Sequence, residues 1–272
     1  MSNALVLRET SEGVTVLTMN DASKLNGWTA AMLEALRDAM RAAAEDQETK
    51  AVVLTGADPY YCAGVNLAAT LELSHPKALH AFIVEHNQAL FEMFIRFPKP
   101  ILVAANGPAI GACVTSATLC DGIIASEKAT FSTPFAALGL SPEGCSSVMF
   151  PRLFGEAGQR MLGREGWKPT AQQALEIGLV QRVVPHDQLL AEARRIARGW
   201  VEDGAERSHR GGLSEEELLA INARESVELA DAFLSPAFLN GQFRFLWSKR
   251  KRRLSLAFLA ARLTHPLWSR LR

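Results

Sequence analysis

The sequence YYCAGVNL at residues 60–67 follows a short apolar segment, AVVLT at 51–55, and a turn. The apolar segment predicts a buried strand, so the loop begins where that strand ends. Gly64 can adopt backbone conformations that other residues avoid. Such a conformation leaves the N–H of the next residue, Val65, unpaired and directed into a cleft, where it can bind an oxygen atom.

A second loop of this kind, NGPAIGAC at residues 106–113, follows the apolar sequence PILVAA at 100–105 and precedes a predicted helix. The first N–H groups of a helix have no acceptor within it, so we expect that of Ala112 to be free. Two such donors aimed at one oxygen would hold an oxyanion, and loss of one comparable donor costs roughly 3 kcal/mol in a hydrolase. Each loop alone also fits ordinary turn chemistry, and neither is a dinucleotide or P-loop motif.

A carboxylate, Glu143, lies in the segment LGLSPEGCSS at residues 138–147. Ser141 can cap a helix there and Pro142 suits its first turn, which places Glu143 near the positive end of the helix dipole. Apolar neighbours would raise the pKa of the Glu143 carboxyl by burial, whereas the dipole would lower it. If burial dominates, Glu143 is a base suited to removing a proton next to a carbonyl group. The alternative is a generic helix start with a solvent-exposed glutamate.

The composition is that of an ordinary globular chain. The 272 residues include 48% hydrophobic and 21% charged side chains, which excludes disorder and low complexity. No apolar run is long enough to span a bilayer, and the first residues do not resemble a secretory signal. The four cysteines form no regular framework and the six histidines lack metal-ligand spacing. We therefore expect reduced cysteines, no metal and a cytoplasmic (bacterial) location, with an organelle as the alternative.

The 29 basic and 29 acidic residues are unevenly distributed. No acidic residue follows Asp231, so residues 1–231 carry 20 basic and 29 acidic residues, a net charge of −9. The C-terminal basic residues are Arg244, Lys249, Arg250, Lys251, Arg252, Arg253, Arg262, Arg270 and Arg272. This segment could meet phosphates, an acidic surface or lipid headgroups, or be a solvated helix end. Packing of 254–272 on a neighbouring subunit is favoured over a membrane surface because the segment is short and Pro266 interrupts it.

Apolar periodicity predicts an α/β core followed by a helical region. Strands are predicted at residues 4–8, 13–19, 51–55, 100–105, 121–125 and 129–132. Helices are predicted at about residues 29–45, 76–97, 111–120, 143–153, 156–162, 170–177, 186–201, 214–230 and 236–260. No linker rich in Gly, Ser or Pro separates two halves, so we expect one core with a C-terminal appendage.

The motifs and their separations resemble the crotonase superfamily, the enoyl-CoA hydratase/isomerase group of acyl-CoA thioester enzymes. The resemblance covers roughly residues 5–200 and rests on YCAGVNL at 61–67, KP and NGPAIG within 99–111, CD and ATF within 120–131, and G, TA, A and GLV within 155–180. It implies an α/β fold, a crotonase (ClpP-like) spiral of ββα units with a C-terminal helical region. The implied parts are a crotonase core at 1–200, a helical trimerisation region at 201–253 and a basic apolar extension at 254–272.

The resemblance also implies roles for individual residues. Val65 and Ala112 would be the two N–H donors to the thioester oxygen, and Asp21–Asn26 would lie near the nucleotide part of coenzyme A. The residues expected to bind substrate or coenzyme A are Lys24, Asn26, Ala63, Gly64, Asn66, Leu67, Gly111, Phe135 and Leu140.

The resemblance distinguishes between reactions of this superfamily. Its hydratases use two glutamates, and this chain has Thr115 and Phe135 at the corresponding places, neither of which accepts a proton at neutral pH. The segment around Glu143 instead resembles the peroxisomal-type Δ3,Δ2-enoyl-CoA isomerases, in which a single glutamate acts. This implies that Glu143 moves a proton from C2 to C4 of a 3-enoyl-CoA. Coenzyme A is part of the substrate, and no metal, flavin or nicotinamide cofactor is expected.

The expected partner is an acyl-CoA thioester, and the superfamily implies a homotrimer or hexamer. We expect no nucleic-acid binding and no transmembrane segment. Two alternatives remain open. The chain could be another acyl-CoA enzyme of the same fold, a hydratase or one with a more elaborate substrate bound by the unassigned segment 68–97. It could also be a CoA-binding scaffold module without turnover, as in certain chromatin proteins that resemble this superfamily.

Overall fold

A computed structural model of the chain describes residues 4–65, 75–163 and 165–271. The strands of this part are β1 Val6–Ser11, β2 Val14–Met19, β3 Ala51–Gly56, β4 Ile101–Ala105, β5 Ala109–Ile110, β6 Gly122–Ser126, β7 Phe131–Ser132 and β8 Arg182–Val184. The main sheet has the order β1-β2-β3-β4-β6-β8, in which β1 and β2 are antiparallel and the other neighbours are parallel. β5 and β7 pair in a small second sheet.

Helices surround the sheet and make up the C-terminal part. They are α1 Ala30–Glu45, α2 Pro76–Ile95, α3 Ala112–Thr118, α4 Phe135–Leu138, α5 Ser146–Leu162, α6 Ala171–Glu176, α7 Leu189–Glu202, α8 Glu215–Phe233, α9 Pro236–Ser248 and α10 Arg252–Trp268. Short 3₁₀ turns lie at Ala22–Lys24, His186–Gln188, Arg210–Gly212 and Ser269–Leu271. Within the described residues, no helix is both long and apolar enough to cross a bilayer. The predicted α/β core followed by a helical region is confirmed.

Both faces of the central strands are buried, because side chains alternate along a strand and helices cover each side. On one face of β3, Val52 and Leu54 join the core that α1 and α2 complete. On the opposite face, Ala51 and Val53 pack with apolar residues of α7. The sheet is therefore a rigid layer, and loops leaving its carboxyl edge start from fixed positions.

The last two helices differ from the sequence prediction in two respects. The helix predicted at 236–260 is two helices, α9 and α10, separated where Arg250 adopts a φ of 57° that a helix cannot accommodate. The prediction that Pro266 interrupts the last segment is wrong, since α10 runs through it. Pro266 lies in the last turn of α10, where it removes only one helical hydrogen bond.

An ion pair ties the segment before α8 to the sheet. The Arg207 guanidinium contacts Asp121 at 2.8 Å, and the side chains are only 9% and 7% exposed. Asp121 also accepts from the N–H groups of Ile101 and Ser208, both at 2.7 Å. Arg207 reaches the carbonyl oxygen of Phe94 as well, at 3.1 Å. The pair therefore connects the start of β4, the end of α2 and the C-terminal helical region.

Replacing Asp121 with alanine is expected to lower the free energy of unfolding by about 3–5 kcal/mol, because it leaves the Arg207 guanidinium buried without a counter-ion. The control is Arg41→Ala, which removes an exposed pair with Asp38 (63% and 57% exposed). That change should cost less than about 1 kcal/mol. Urea unfolding followed by circular dichroism measures both, and equal effects would show that the buried pair is not a structural tie.

Candidate active site

Two loops at the carboxyl edge of the main sheet lie side by side. One follows β3 and leads to Val65, and the other follows β4 and leads to Ala112. The N–H of Ile110 donates to the carbonyl oxygen of Cys62 at 3.0 Å, and Cys62 forms a parallel bridge with Ala109. The two loops are thus joined through their backbones.

The contact between the loops requires glycine. Gly64 has a φ of 80°, and a Cβ added there would overlap the carbonyl oxygen of Ile110 and lie 4.0 Å from the Cα of Gly111. Val65 and Ala112 come directly after these two glycines. Neither of their N–H groups has an acceptor within the described part of the chain. The structure therefore brings the two predicted donors to adjoining loops.

A polar brace holds the starts of both loops, and the sequence analysis missed it. The Asn106 side chain donates to Asp58 at 2.9 Å and accepts from the N–H of Gly56 at 3.2 Å. His186, from the turn after β8, lies 3.0 Å from the other Asp58 oxygen. Partial burial opposes ionisation of Asp58, but hydrogen bonds from Asn106 and His186 hold its pKa below the ordinary value. The clue in the sequence is a polar residue one or two positions after the end of each of three parallel strands.

The segment that carries Glu143 is a turn rather than the start of a helix. α5 begins at Ser146, and its N-cap, Cys145, makes no side-chain cap hydrogen bond. The prediction that Ser141 caps this helix is wrong, because its hydroxyl is buried and has no partner among the described residues. Gly144 and Cys145 have φ values of 65° and 63°, which a helix excludes. These left-handed residues delay the helix and separate Glu143 from its axis.

The turn packs against the helix that follows the second loop. A Cβ added at Gly144 would overlap the Phe91 ring and lie 2.7 Å from the Thr115 hydroxyl. Thr115 is in the first turn of α3 and donates to the carbonyl oxygen of Ala112 at 3.1 Å. Glu143 is therefore held next to the helix whose first N–H is that of Ala112.

Burial dominates the electrostatics of Glu143. The residue is 9% exposed. Burial, and then the negative charge of Glu225, raises the pKa of the Glu143 carboxyl to about 8. The alternative of a solvent-exposed helix-start glutamate is excluded, and the carboxyl titrates in a range where it can both accept and return a proton.

Glu225 is a second carboxylate that the sequence analysis missed. It is 0% exposed, and its Oε1 accepts a hydrogen bond from the N–H of Ser147 at 2.9 Å. It lies far from Glu143 along the chain, so no local motif relates them. Its signal is its position on α8, in the buried stripe formed with Leu218, Asn222 and Leu229. A glutamate at helical spacing among such residues indicates a buried charge.

The predicted nucleotide-binding segment is folded as a compact turn. Asn26 is buried, and its side-chain amide donates to the carbonyl oxygens of Ala57 and Tyr60 at 2.6 and 2.7 Å. Lys24 is exposed and pairs with Asp21 at 3.2 Å. Asn26 thus braces the first loop, while Lys24 is accessible to an anion. Their predicted contacts with coenzyme A stay predictions.

The remaining predicted residues fall into three groups. Ala63 and Leu140 are half-buried, and Phe135 is buried at the first position of α4. Asn66 and Leu67 lie outside the described residues. Within those residues, no group of three or more His, Cys, Asp or Glu side chains is arranged to hold a metal ion.

The main sheet, the two joined loops at its carboxyl edge and the C-terminal helices form an α/β fold of the crotonase type. The family model described as enoyl-CoA hydratase/isomerase matches residues 9–210. The chain belongs to this family, which confirms the resemblance predicted from the sequence.

Proteins with similar sequences and structures are known. Enoyl-CoA delta isomerase 2 of Rattus norvegicus is 34% identical over 260 residues, which cover 89% of this chain and 63% of that protein. The chromodomain Y-like protein of Homo sapiens is 34% identical over 181 residues, 66% of this chain and 30% of that protein. The chain thus spans less than two thirds of either relative. A crystal structure of an enoyl-CoA hydratase/isomerase from Pseudoalteromonas atlantica has a TM-score of 0.76 at 30% identity and covers 90% of this chain and 97% of that one.

The Glu143 carboxyl makes stability depend on pH. It ionises near 4.5 in an unfolded chain but only near 8 in the folded one, so between these pH values the folded state holds the extra proton. The contribution of Glu143 to the free energy of unfolding therefore falls as pH rises from 4.5 to 8.

Glu143→Gln removes this ionisation. The variant should be more stable than the unmodified protein by about 4 kcal/mol at pH 8 and nearly equal to it at pH 4. Thermal or urea unfolding at several pH values measures the difference. A constant difference across the range would contradict a raised pKa at Glu143.

Proposed function

We propose that the protein isomerises 3-enoyl-CoA to 2-trans-enoyl-CoA, with Glu143 as the only acid/base residue. The observation that carries this proposal is the buried carboxyl of Glu143, whose pKa is raised to about 8. Its turn packs against the first turn of α3, next to the loop that carries Val65. The similarity to enoyl-CoA delta isomerase 2 of the rat supports the same reaction.

The two backbone donors would stabilise the charge that develops on the substrate. The N–H groups of Val65 and Ala112 bind the thioester oxygen. When a proton leaves C2, the electron pair moves through the C1–C2 bond onto that oxygen and forms a dienolate. Fixed N–H donors in a water-poor site stabilise this oxyanion more strongly than water would, because they need no reorganisation.

Glu143 would complete the reaction with the proton it removed. The carboxylate takes the proton from C2 and returns it to C4, so the double bond moves from C3–C4 to C2–C3 and no atom is lost or gained. A carboxyl with a pKa near neutral suits both steps. Thr115 and Phe135 lack proton-accepting side chains, which disfavours addition of water at the positions that hydratases use. The chemistry requires no cofactor besides the coenzyme A of the substrate.

A CoA-binding scaffold without turnover is the second candidate. The similarity to the human chromodomain Y-like protein and the basic C-terminal segment favour it. The buried Glu143 favours the enzyme, because a base held out of water destabilises the fold and a binding module has no use for it. Calorimetry that shows binding of an acyl-CoA, together with no isomerisation of 3-enoyl thioesters, would support the scaffold.

The activity is tested with 3-hexenoyl-CoA, whose conjugated product is followed by its ultraviolet absorbance. Glu143→Gln should lower kcat by about 10²–10⁴-fold, the range over which a single general base contributes. Glu156→Gln makes the same change at an exposed position of α5 and should leave kcat unchanged. A fully active Glu143→Gln variant would remove Glu143 from the mechanism.

We also propose that the protein assembles as a homotrimer or hexamer through its C-terminal helices. Those helices expose Phe245, Trp247, Leu254, Leu256, Leu263 and Leu267. Exposed apolar side chains at this density are typical of an interface. Light scattering should give a particle of three or six times the 29.6 kDa chain, and Leu256→Glu with Leu263→Glu should reduce it. A monomer at micromolar concentration would contradict the proposal.

A further inference from the structure

Glu225 reaches from α8 to the first turn of α5. Its side chain has no exposed surface, and Oε1 accepts from the N–H of Ser147 at 2.9 Å. Among the described residues, the N-cap of this helix, Cys145, makes no side-chain cap hydrogen bond of its own. The turn immediately before this helix carries Glu143. Glu225 is therefore attached to the backbone that holds the proposed base.

A buried carboxylate is an energetically unfavourable way to cap the first turn of α5. Its second oxygen, Oε2, has no partner within the described residues, and neither has Oδ1 of Asn222, one turn earlier on α8. The neighbouring cation Arg224 is exposed and is engaged with the Ser147 hydroxyl at 3.2 Å and with Glu228 at 3.6 Å. A neutral oxygen would accept the same N–H without the cost of burying a charge. Capping alone therefore does not account for a carboxyl group at this position.

That charge acts on the turn before α5. After burial, the Glu225 charge is the second cause of the raised pKa of the Glu143 carboxyl, and it also raises the pKa of the Cys145 thiol. Burial raises the pKa of Glu225 itself, while hydrogen bonds from Ser147 and Cys145 and the charge of Arg224 lower it. Two carboxyls that repel each other ionise in sequence, so the charge of one sets the pH at which the other loses its proton.

Within the described residues, the side chains of α2 and α3 that lie nearest Gly144 in this turn are uncharged. From α2 and α3, the groups that meet Gly144 are the uncharged Phe91 and Thr115. We propose that Glu225 is a positioning residue that acts through Glu143. It fixes the turn on which Glu143 stands and sets, by its buried charge, the pH range in which Glu143 works. The kinetic part of this proposal rests on the proposed isomerase activity, whereas the titration of Glu143 does not.

Two substitutions separate the hydrogen bond from the charge. Glu225→Gln keeps an oxygen for the Ser147 N–H, removes the charge, and supplies an amide donor one turn from the unpartnered Asn222 Oδ1. Glu225→Ala removes both the bond and the charge. Glu216→Gln makes the same charge change at an exposed position of α8 and serves as the control.

The first measurement is the titration of the Glu143 carboxyl carbon by NMR in protein labelled at glutamate, with the signal assigned by its loss in Glu143→Gln. In Glu225→Gln the midpoint should move to lower pH by about one unit, whereas Glu216→Gln should leave it in place. An unchanged midpoint in Glu225→Gln would overturn the proposal. If Glu225→Ala does not fold, the Gln variant still decides.

The second measurement is the pH profile of kcat/KM with 3-hexenoyl-CoA. The acid limb should move to lower pH in Glu225→Gln by the same amount as the NMR midpoint. Glu225→Ala should also lose kcat at high pH, where Glu143 is fully ionised, by about tenfold or more because the turn is no longer fixed. Equal profiles for Glu225→Gln and Glu216→Gln would overturn the kinetic role. If the unmodified protein isomerises no 3-enoyl-CoA, the proposed function is wrong. The effect of Glu225 on Glu143 is then tested by the NMR titration alone.

Discussion

The close approach of two backbones at Gly64 is the constraint on which the rest of the site depends. A Cβ at Gly64 would overlap the carbonyl oxygen of Ile110. The loops after β3 and β4 can therefore touch only because residue 64 is glycine. This contact brings the residues after Gly64 and Gly111 together on a layer that is packed on both faces. Without it, the N–H groups of Val65 and Ala112, from distant parts of the sequence, would not lie on adjoining loops. The brace of Asp58, Asn106 and His186 holds the same loops where they leave the sheet.

Burying the two carboxylates lowers the stability of an otherwise well-packed chain. Glu143 and Glu225 lie near a helix start where burial raises both pKa values, and Glu225 retains an unpartnered oxygen. Proteins tolerate buried carboxylates when the free-energy cost of burying them is small compared with the total stability of the fold. The apolar core on both faces of the main sheet supplies the stability that offsets this cost. A proton-transfer site is the kind of function for which a carboxyl out of water is useful.

Local patterns predicted the fold class and the two loops because strand, turn and helix signals each depend on neighbouring residues. The gap between the helices predicted at 143–153 and 156–162 corresponds to Gly155, whose φ of 55° breaks α5. The predicted start of that helix, at residue 143, was wrong. The left-handed backbone conformation of Cys145 results from packing and not from the local preference of the sequence. Glu225 was missed for a related reason: its bond to Ser147 joins residues 78 positions apart, and sequence periodicity says only that it faces inward.

The two edge strands of the main sheet, β1 and β8, are poorly suited to pair with a further strand. Along β1, Arg8 pairs with Asp46, and Glu9 pairs with Arg194 at 2.7 Å. At the other margin, β8 is three residues long and begins at Arg182, which pairs with Glu192. Hydrated charges and short length keep such strands from templating their own extension, so the sheet resists growth into fibrils. The proposed assembly through helical surfaces therefore does not compete with strand-to-strand pairing at the edges of the sheet.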